Sequence, residues 1–92
     1  MKVSVIKTVT IQNSFTDWAA LPSVSQLFIS GIVNSTVSFQ GSPDSGVTVY
    51  DLAEFSKETF KTLFLANTGR VFRVGVKQGN YGADTILLRL EG

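Results

Sequence analysis

Apolar and polar residues alternate with a period of two along most of this chain, which is the pattern of strands that bury one face. The clearest example runs over 70–78, where Phe72, Val74 and Val76 share one parity while Arg73 has the other. We expect the apolar set to face a core and the polar set to face away from it.

Further strands are predicted by the same alternation and by frequent Val, Ile and Thr, which prefer extended backbone. These strands lie at 3–12, 24–33, 36–41, 47–52 and 85–90. Short strands separated by turns every eight to twelve residues or so are typical of antiparallel sandwiches and barrels. We therefore predict one all-β domain over 1–92, a small antiparallel β-sandwich of either Ig-like or jelly-roll-like type.

The sharpest turn signal is Ser-Pro-Asp-Ser-Gly at 42–46. Pro43 presets φ for a turn, the side chain of Asp44 can bond its own backbone, and Gly46 tolerates positive φ. This stretch predicts a tight turn between two strands, with a small polar tip that faces solvent.

The segment 15–22 does not follow the alternation. Thr16 or Asp17 could cap one short helical turn, which Pro22 would end. Trp18, the only Trp, lies in this segment, either as a core plug or as an exposed contact.

The segment 53–65 is ambiguous between helix and strand. Phe60 and Phe64 stand four apart, as on one helix face, but they also alternate with neighbours as in a strand. Thr59 and Thr62 lower the helix propensity, so a linker followed by a strand is favoured.

The composition of the chain excludes several kinds of active site and metal site. The chain has no Cys and no His, which excludes a Ser-His-Asp triad, a thiolate nucleophile, disulfides and most zinc sites. The carboxylates show no diagnostic spacing, and the net charge of +1 comes from scattered residues. We expect no enzyme, no catalytic, cofactor-binding or metal-binding residues, and no nucleic-acid partner. No apolar run approaches the length of a membrane span, so no membrane partner is expected either.

Interaction with protein is the remaining expectation. A small domain without disulfides or metals depends strongly on packing or on partners. The first segment, 1–12, is either an ordinary strand or an arm that adds to the sheet of a neighbouring subunit. The interface candidates are Val3, Val5, Ile11, Phe15, Trp18 and Leu21.

Two stretches resemble a known family. VSFQGSPDSGVTV at 37–49 looks like the strand, Gly-Ser-Pro-Asp-Gly, strand hairpin of small tailed-phage virion proteins. VFRVGVKQGNY at 71–81 with TILLRL at 85–90 is similar to their closing hairpin, in which an Arg-bearing strand ending in Lys-x-Gly precedes an apolar strand. The chain departs from this pattern at Ser45, where Gly is common, and in the Phe-rich segment 55–65.

The resemblance implies a compact β-sandwich that decorates capsids, and it supplies no catalytic residues. The expected role is a decoration or cement protein on the capsid surface of a virion assembled in the host cytoplasm. Its partners would be the major capsid protein and copies of itself, with a trimer as one option. The alternatives are a tail, neck or fibre component, and a glycan-binding module in which Trp18, Tyr50 or Tyr81 stacks on sugars.

Overall fold

The computed structural model describes residues 4–65 and 70–92, and its elements in this part of the chain are all strands. In chain order they are β1 (Ser4–Val9), β2 (Ser14–Phe15), β3 (Val24–Ser30), β4 (Val37–Ser42), β5 (Tyr50–Phe55), β6 (Thr59–Phe64), β7 (Val71–Val76) and β8 (Ile86–Glu91).

The strands form two four-stranded antiparallel sheets, packed face to face. Sheet A has the order β1-β8-β3-β6, and sheet B has the order β2-β7-β4-β5. The predicted small all-β sandwich is confirmed. Of the two predicted types, this strand order is that of an eight-stranded jelly roll, in which each connection except β4–β5 crosses between the sheets.

The core lies between the sheets and is built from the inward parity of each strand. Phe39 of β4 and Phe72 of β7 stack with ring centroids 5.6 Å apart and nearly parallel planes. The alternation predicted for β7 and β8 is confirmed, since its apolar parity is buried in both strands. The fully buried apolar side chains are Val9, Leu27, Val37, Val74, Val76, Ile86, Leu88 and Leu90.

The predicted helical turn over 15–22 is wrong. Ser14 and Phe15 form β2, and Ala19 makes a further antiparallel bridge to Phe72, with N···O distances of 2.9 and 2.8 Å. The backbone here pairs with the free edge of β7, which satisfies more of its polar groups than one isolated helical turn would.

The segment 53–65 contains a strand, as favoured from sequence. Strand β6 begins at Thr59, and the connection before it covers only 56–58 because Ala53–Phe55 still belongs to β5.

The predicted tight turn at 42–46 is longer than expected, because β5 begins at Tyr50 rather than at Val47. The Asp44 carboxylate accepts hydrogen bonds from the Thr48 N–H and hydroxyl, both at 2.6 Å. The Ser42 hydroxyl accepts one from the Gly46 N–H at 2.8 Å. These bonds hold a seven-residue connection, 43–49, and make Asp44 a turn-forming residue.

The closing hairpin of the family resemblance is also wrong. Strand β7 lies in sheet B beside β2 and β4, whereas β8 lies in sheet A between β1 and β3. The polar connection 77–85 therefore crosses from one sheet to the other instead of reversing within one sheet.

The first strand belongs to the chain's own sheet. β1 pairs with β8 along its whole length, from Ser4 opposite Glu91 to Val9 opposite Ile86. Within this chain it is the ordinary strand of the two alternatives predicted for 1–12.

Candidate functional site: the outer face of sheet A

The outer face of sheet A is apolar and open. On this face Val24, Ile6, Leu87, Phe60 and Phe64 are between 48% and 81% exposed. This face is the candidate contact surface, because the largest apolar patch on a small domain is often a functional one.

One row of cross-strand neighbours runs through the middle of this face. Ile6 of β1 pairs with Arg89 of β8, Arg89 with Phe28 of β3, and Phe28 with Phe60 of β6. The rings of Phe28 and Phe60 meet edge to face with centroids 4.4 Å apart. We call these four residues the central row, and they line an open groove of about 600 Å³.

A second row of cross-strand neighbours lies two residues along each strand from the central row, and it is polar. It consists of Ser4, Glu91, Gln26 and Thr62, which are cross-strand neighbours in the same order. Arg89 Nε lies 3.2 Å from Glu91 Oε1, so this pair of opposite charges links the two rows. We call this set the polar row.

Both edges of sheet A carry a lysine on the side that faces sheet B. Lys7 of edge strand β1 lies opposite the buried Leu88, and Lys61 of edge strand β6 lies opposite the buried Leu27. Inward-pointing charges on edge strands discourage pairing with a further strand, because that pairing would bury the charge. The open surface of sheet A is therefore its face rather than its edges.

The outer face of sheet B is polar instead, and its groups satisfy each other. Gln40 donates to Asp51 Oδ1 at 2.7 Å, and Lys77 Nζ lies 2.7 Å from Asp51 Oδ2 and 3.4 Å from Glu54. The bond from Lys77, then that from Gln40, lowers the pKa of Asp51, and the same contact raises the pKa of Lys77. This network closes the face of sheet B, so the two outer faces are suited to different tasks.

Trp18 is neither a core plug nor a free contact residue. Arg73 lies on the outer face of sheet B, with its guanidinium carbon 4.0 Å from the ring centroid of Phe15 and 4.4 Å from that of Trp18. Its Nε donates to Gln40 Oε1 at 2.9 Å. The connection 43–49 also approaches Trp18, since a Cβ on Gly46 would lie 2.7 Å from Trp18 Nε1. The predicted solvent-facing tip therefore packs partly against Trp18.

Asp84 fastens the loops at one end of the sandwich. Its Oδ2 accepts the backbone N–H groups of Val33, Asn34 and Ser35, each at 2.9 Å. These bonds, the one from Val33 first, lower the pKa of the Asp84 carboxyl. Tyr81 donates its hydroxyl to the Asp84 carbonyl at 2.5 Å, so Tyr81 acts as a structural residue here.

The same end presents two exposed aliphatic side chains. The Gly79 N–H donates to Gln12 Oε1 at 3.2 Å, which ties the β1–β2 connection to the β7–β8 connection. Ile11 in the first of these connections and Val33 in the β3–β4 connection are both strongly exposed. We call this surface, formed by the β1–β2, β3–β4 and β7–β8 connections, the loop end.

The predicted interface candidates do not form one surface. Ile11 lies at the loop end, Phe15 and Trp18 flank Arg73 on sheet B, and Val5 is half-buried against the core. Leu21 is 3% exposed, so its side chain is a core residue of this chain. Val3 lies outside the described residues.

Sequence reasoning missed the central row. The alternation over 85–90 leaves Arg89 on the outward parity, but the sequence pattern assigns no face to Phe28 or Phe60. The sequence does contain part of the signal, because Phe28 has the parity opposite to Leu27 and Ile29. An aromatic residue on the outward parity of a strand is a contact candidate.

Among the residues that the structure describes, no three acidic side chains come together as a metal site. The described chain also contains no helix of the length and apolar character that a membrane crossing requires.

Comparison with known proteins finds no family model, no curated protein and no solved structure that matches this chain.

Proposed function

We propose that this chain is a structural protein of a tailed-phage virion, which decorates the outside of the major capsid shell in many copies. The observation that carries the proposal is the pair of exposed aliphatic side chains at the loop end, Ile11 and Val33, because protruding apolar groups on a small domain without disulfides or metals suit a protein that works by packing against protein. The hairpin-like stretch at 37–49 supports the phage assignment by resemblance. A tail, neck or fibre position is the alternative within the same class.

The loop end is the proposed contact with the shell. Ile11 and Val33 protrude there from connections that Asp84 and Gln12 hold in place, so little conformational entropy is lost on binding. Each copy would bury a modest area, and the symmetric repetition of the shell would supply the avidity.

Co-sedimentation with emptied heads of the source phage tests the proposal. The wild-type protein is expected to pellet with heads, and Ile11→Glu together with Val33→Glu is expected to abolish this. Val47→Glu is the matched control, because Val47 is 86% exposed but lies in the β4–β5 connection. Absence of the chain from purified particles, or binding only to tails, would contradict the decoration role.

Glycan binding is a second candidate with its own observation. Tyr50 is exposed beside Arg70 and Asp51 along a groove of about 500 Å³. An open phenol ring with flanking charged groups can stack on a sugar and hydrogen-bond its hydroxyls. Binding of the wild type but not of Tyr50→Ala to a glycan array, with no binding to heads, would favour this role over decoration.

A further inference from the structure

We propose that the outer face of sheet A is covered by a second copy of this chain, in a symmetric face-to-face dimer whose twofold axis runs parallel to the strands between β8 and β3. This goes beyond the proposed role in the virion and does not depend on it. The argument rests on the order of residues across the face.

The central row is self-complementary when reversed. Its order across the sheet is Ile6, Arg89, Phe28 and Phe60. An axis between β8 and β3 lays the same row over itself in reverse, so each Arg89 faces the partner's Phe28 and each Ile6 faces the partner's Phe60. Both contacts are favourable, the first as a cation–π pair and the second as an apolar pair.

The polar row matches itself under the same axis. Because the axis is parallel to the strands, rows meet their own counterparts, and Glu91 faces the partner's Gln26 while Ser4 faces the partner's Thr62. A carboxylate and an amide form a hydrogen bond, and no two like charges lie directly opposite each other. Arg89 keeps Glu91 of its own chain as a neighbour, so neither charge is buried alone.

The area is sufficient for a stable pair. With aromatic side chains offering ~150–250 Å² each, the partly exposed apolar groups on this face present roughly 500 Å² per copy. Two copies then bury about 1,000 Å² of apolar surface before the polar rim is counted, which reaches the lower limit expected of a specific interface. The inward lysines at both edges, Lys7 and Lys61, direct association to the face and away from sheet extension.

Sedimentation equilibrium measures the stoichiometry. The 10.0 kDa chain is expected to sediment as a dimer at tens of micromolar. Phe60→Glu is expected to weaken the dimer roughly tenfold or more with an unchanged circular dichroism spectrum, because it places a charge opposite the partner's Ile6. Val47→Glu, away from sheet A, is the matched control and is expected to remain dimeric.

Cross-linking tests the register. The chain has no cysteine, so Ser4→Cys and Thr62→Cys each introduce a single thiol. Across the proposed interface Ser4 and the partner's Thr62 are separated by about one sheet spacing, ~10 Å, whereas two copies of the same position lie ~17 Å apart because they are also offset by three strand spacings. A bismaleimide of that reach is expected to link the mixture of the two variants, and neither variant alone.

A monomeric or trimeric wild type would overturn this proposal, as would efficient cross-linking of either single variant by itself. These outcomes are distinct from failure of the virion role. A monomer that binds heads removes the dimer and leaves decoration standing, whereas a dimer that ignores heads does the reverse.

Discussion

At the scale of single residues, Asp84 is the side chain on which the loop end depends. One of its oxygens accepts three consecutive backbone N–H groups of the β3–β4 connection, and these bonds are strongest when the carboxylate is ionised. Asp84→Asn is therefore expected to lower the melting temperature at neutral pH by several degrees. Asp17→Asn, at an exposed site in the β2–β3 connection, is the control and is expected to change it little.

The pH dependence of stability has the same origin. The folded pKa of Asp84 is lowered by its backbone bonds, and that of Asp44 by its bonds to Thr48. A lowered folded pKa means that the stabilisation is present above the unfolded value, roughly 4, and is lost as the pH falls below it toward the folded pKa. Melting temperature is expected to fall in that acidic range, less steeply in Asp84→Asn. Equal slopes in both proteins would contradict the role of Asp84.

Gly46 is the second residue whose identity the fold requires. It has φ of 100°, and a Cβ there would meet the indole of Trp18, whereas Gly79 has φ of 87° with open space around it. Gly79→Ala is expected to cost about 1–2 kcal/mol through backbone strain alone. Gly46→Ala is expected to cost more and to shift the emission of the single Trp, as urea titration with fluorescence can measure. An unshifted emission would mean that the connection does not pack on Trp18.

At the scale of elements, the lysines at the edges of sheet A explain why this apolar sheet does not pair with a further strand from another chain. Lys61→Val is expected to leave the melting temperature near that of the wild type and to increase light scattering, because β6 then offers an unguarded edge. Lys57→Val, in the exposed β5–β6 connection, removes the same charge away from the edge and is the control. Equal scattering by the two variants would show that net charge, not position, keeps the chain soluble.

The elements also show what an amino-acid pattern can and cannot specify. Alternation identified the buried side of β7 and β8, because parity depends only on which face is apolar. It does not identify their partners, since pairing is set by distant strands, and the hairpin that the resemblance implies joins two strands that lie in opposite sheets. Parity and burial also differ on β4, where Ser38 and Gln40 point outward but are buried under the network on sheet B.

The short strand β2 and the candidate site escaped prediction for related reasons. Two residues carry no periodicity, so β2 exists only because the edge of β7 is available to the backbone of 14–19. The central row is assembled from four strands that are distant in sequence, and its members become neighbours only through the registers of sheet A. From the sequence, the most that can be predicted for a residue is the face of the strand on which it lies, and not the residues beside it in the sheet.

At the scale of the whole molecule, the two outer faces of the sandwich differ in how their side chains are covered. Sheet B is covered by its own ion pairs and by Arg73 between two aromatic rings, while sheet A leaves apolar side chains open. A core of this thickness gives a small domain little stability to spare. Covering sheet A by a partner therefore stabilises the fold as well as the assembly, because binding to the native state favours it by mass action.

The sandwich is closed by pairing between its first and last strands. β1 pairs with β8, and Val9 is fully buried while its neighbour Thr8 is exposed. If β1 is integral to the sandwich, Val9→Asp buries an unpaired carboxylate and is expected to cost about 3 kcal/mol or more, enough to unfold much of a small domain. Thr8→Asp carries the same charge on the same strand and is expected to stay folded. Circular dichroism in a urea titration compares the two, and equal stability would instead make β1 a detachable arm.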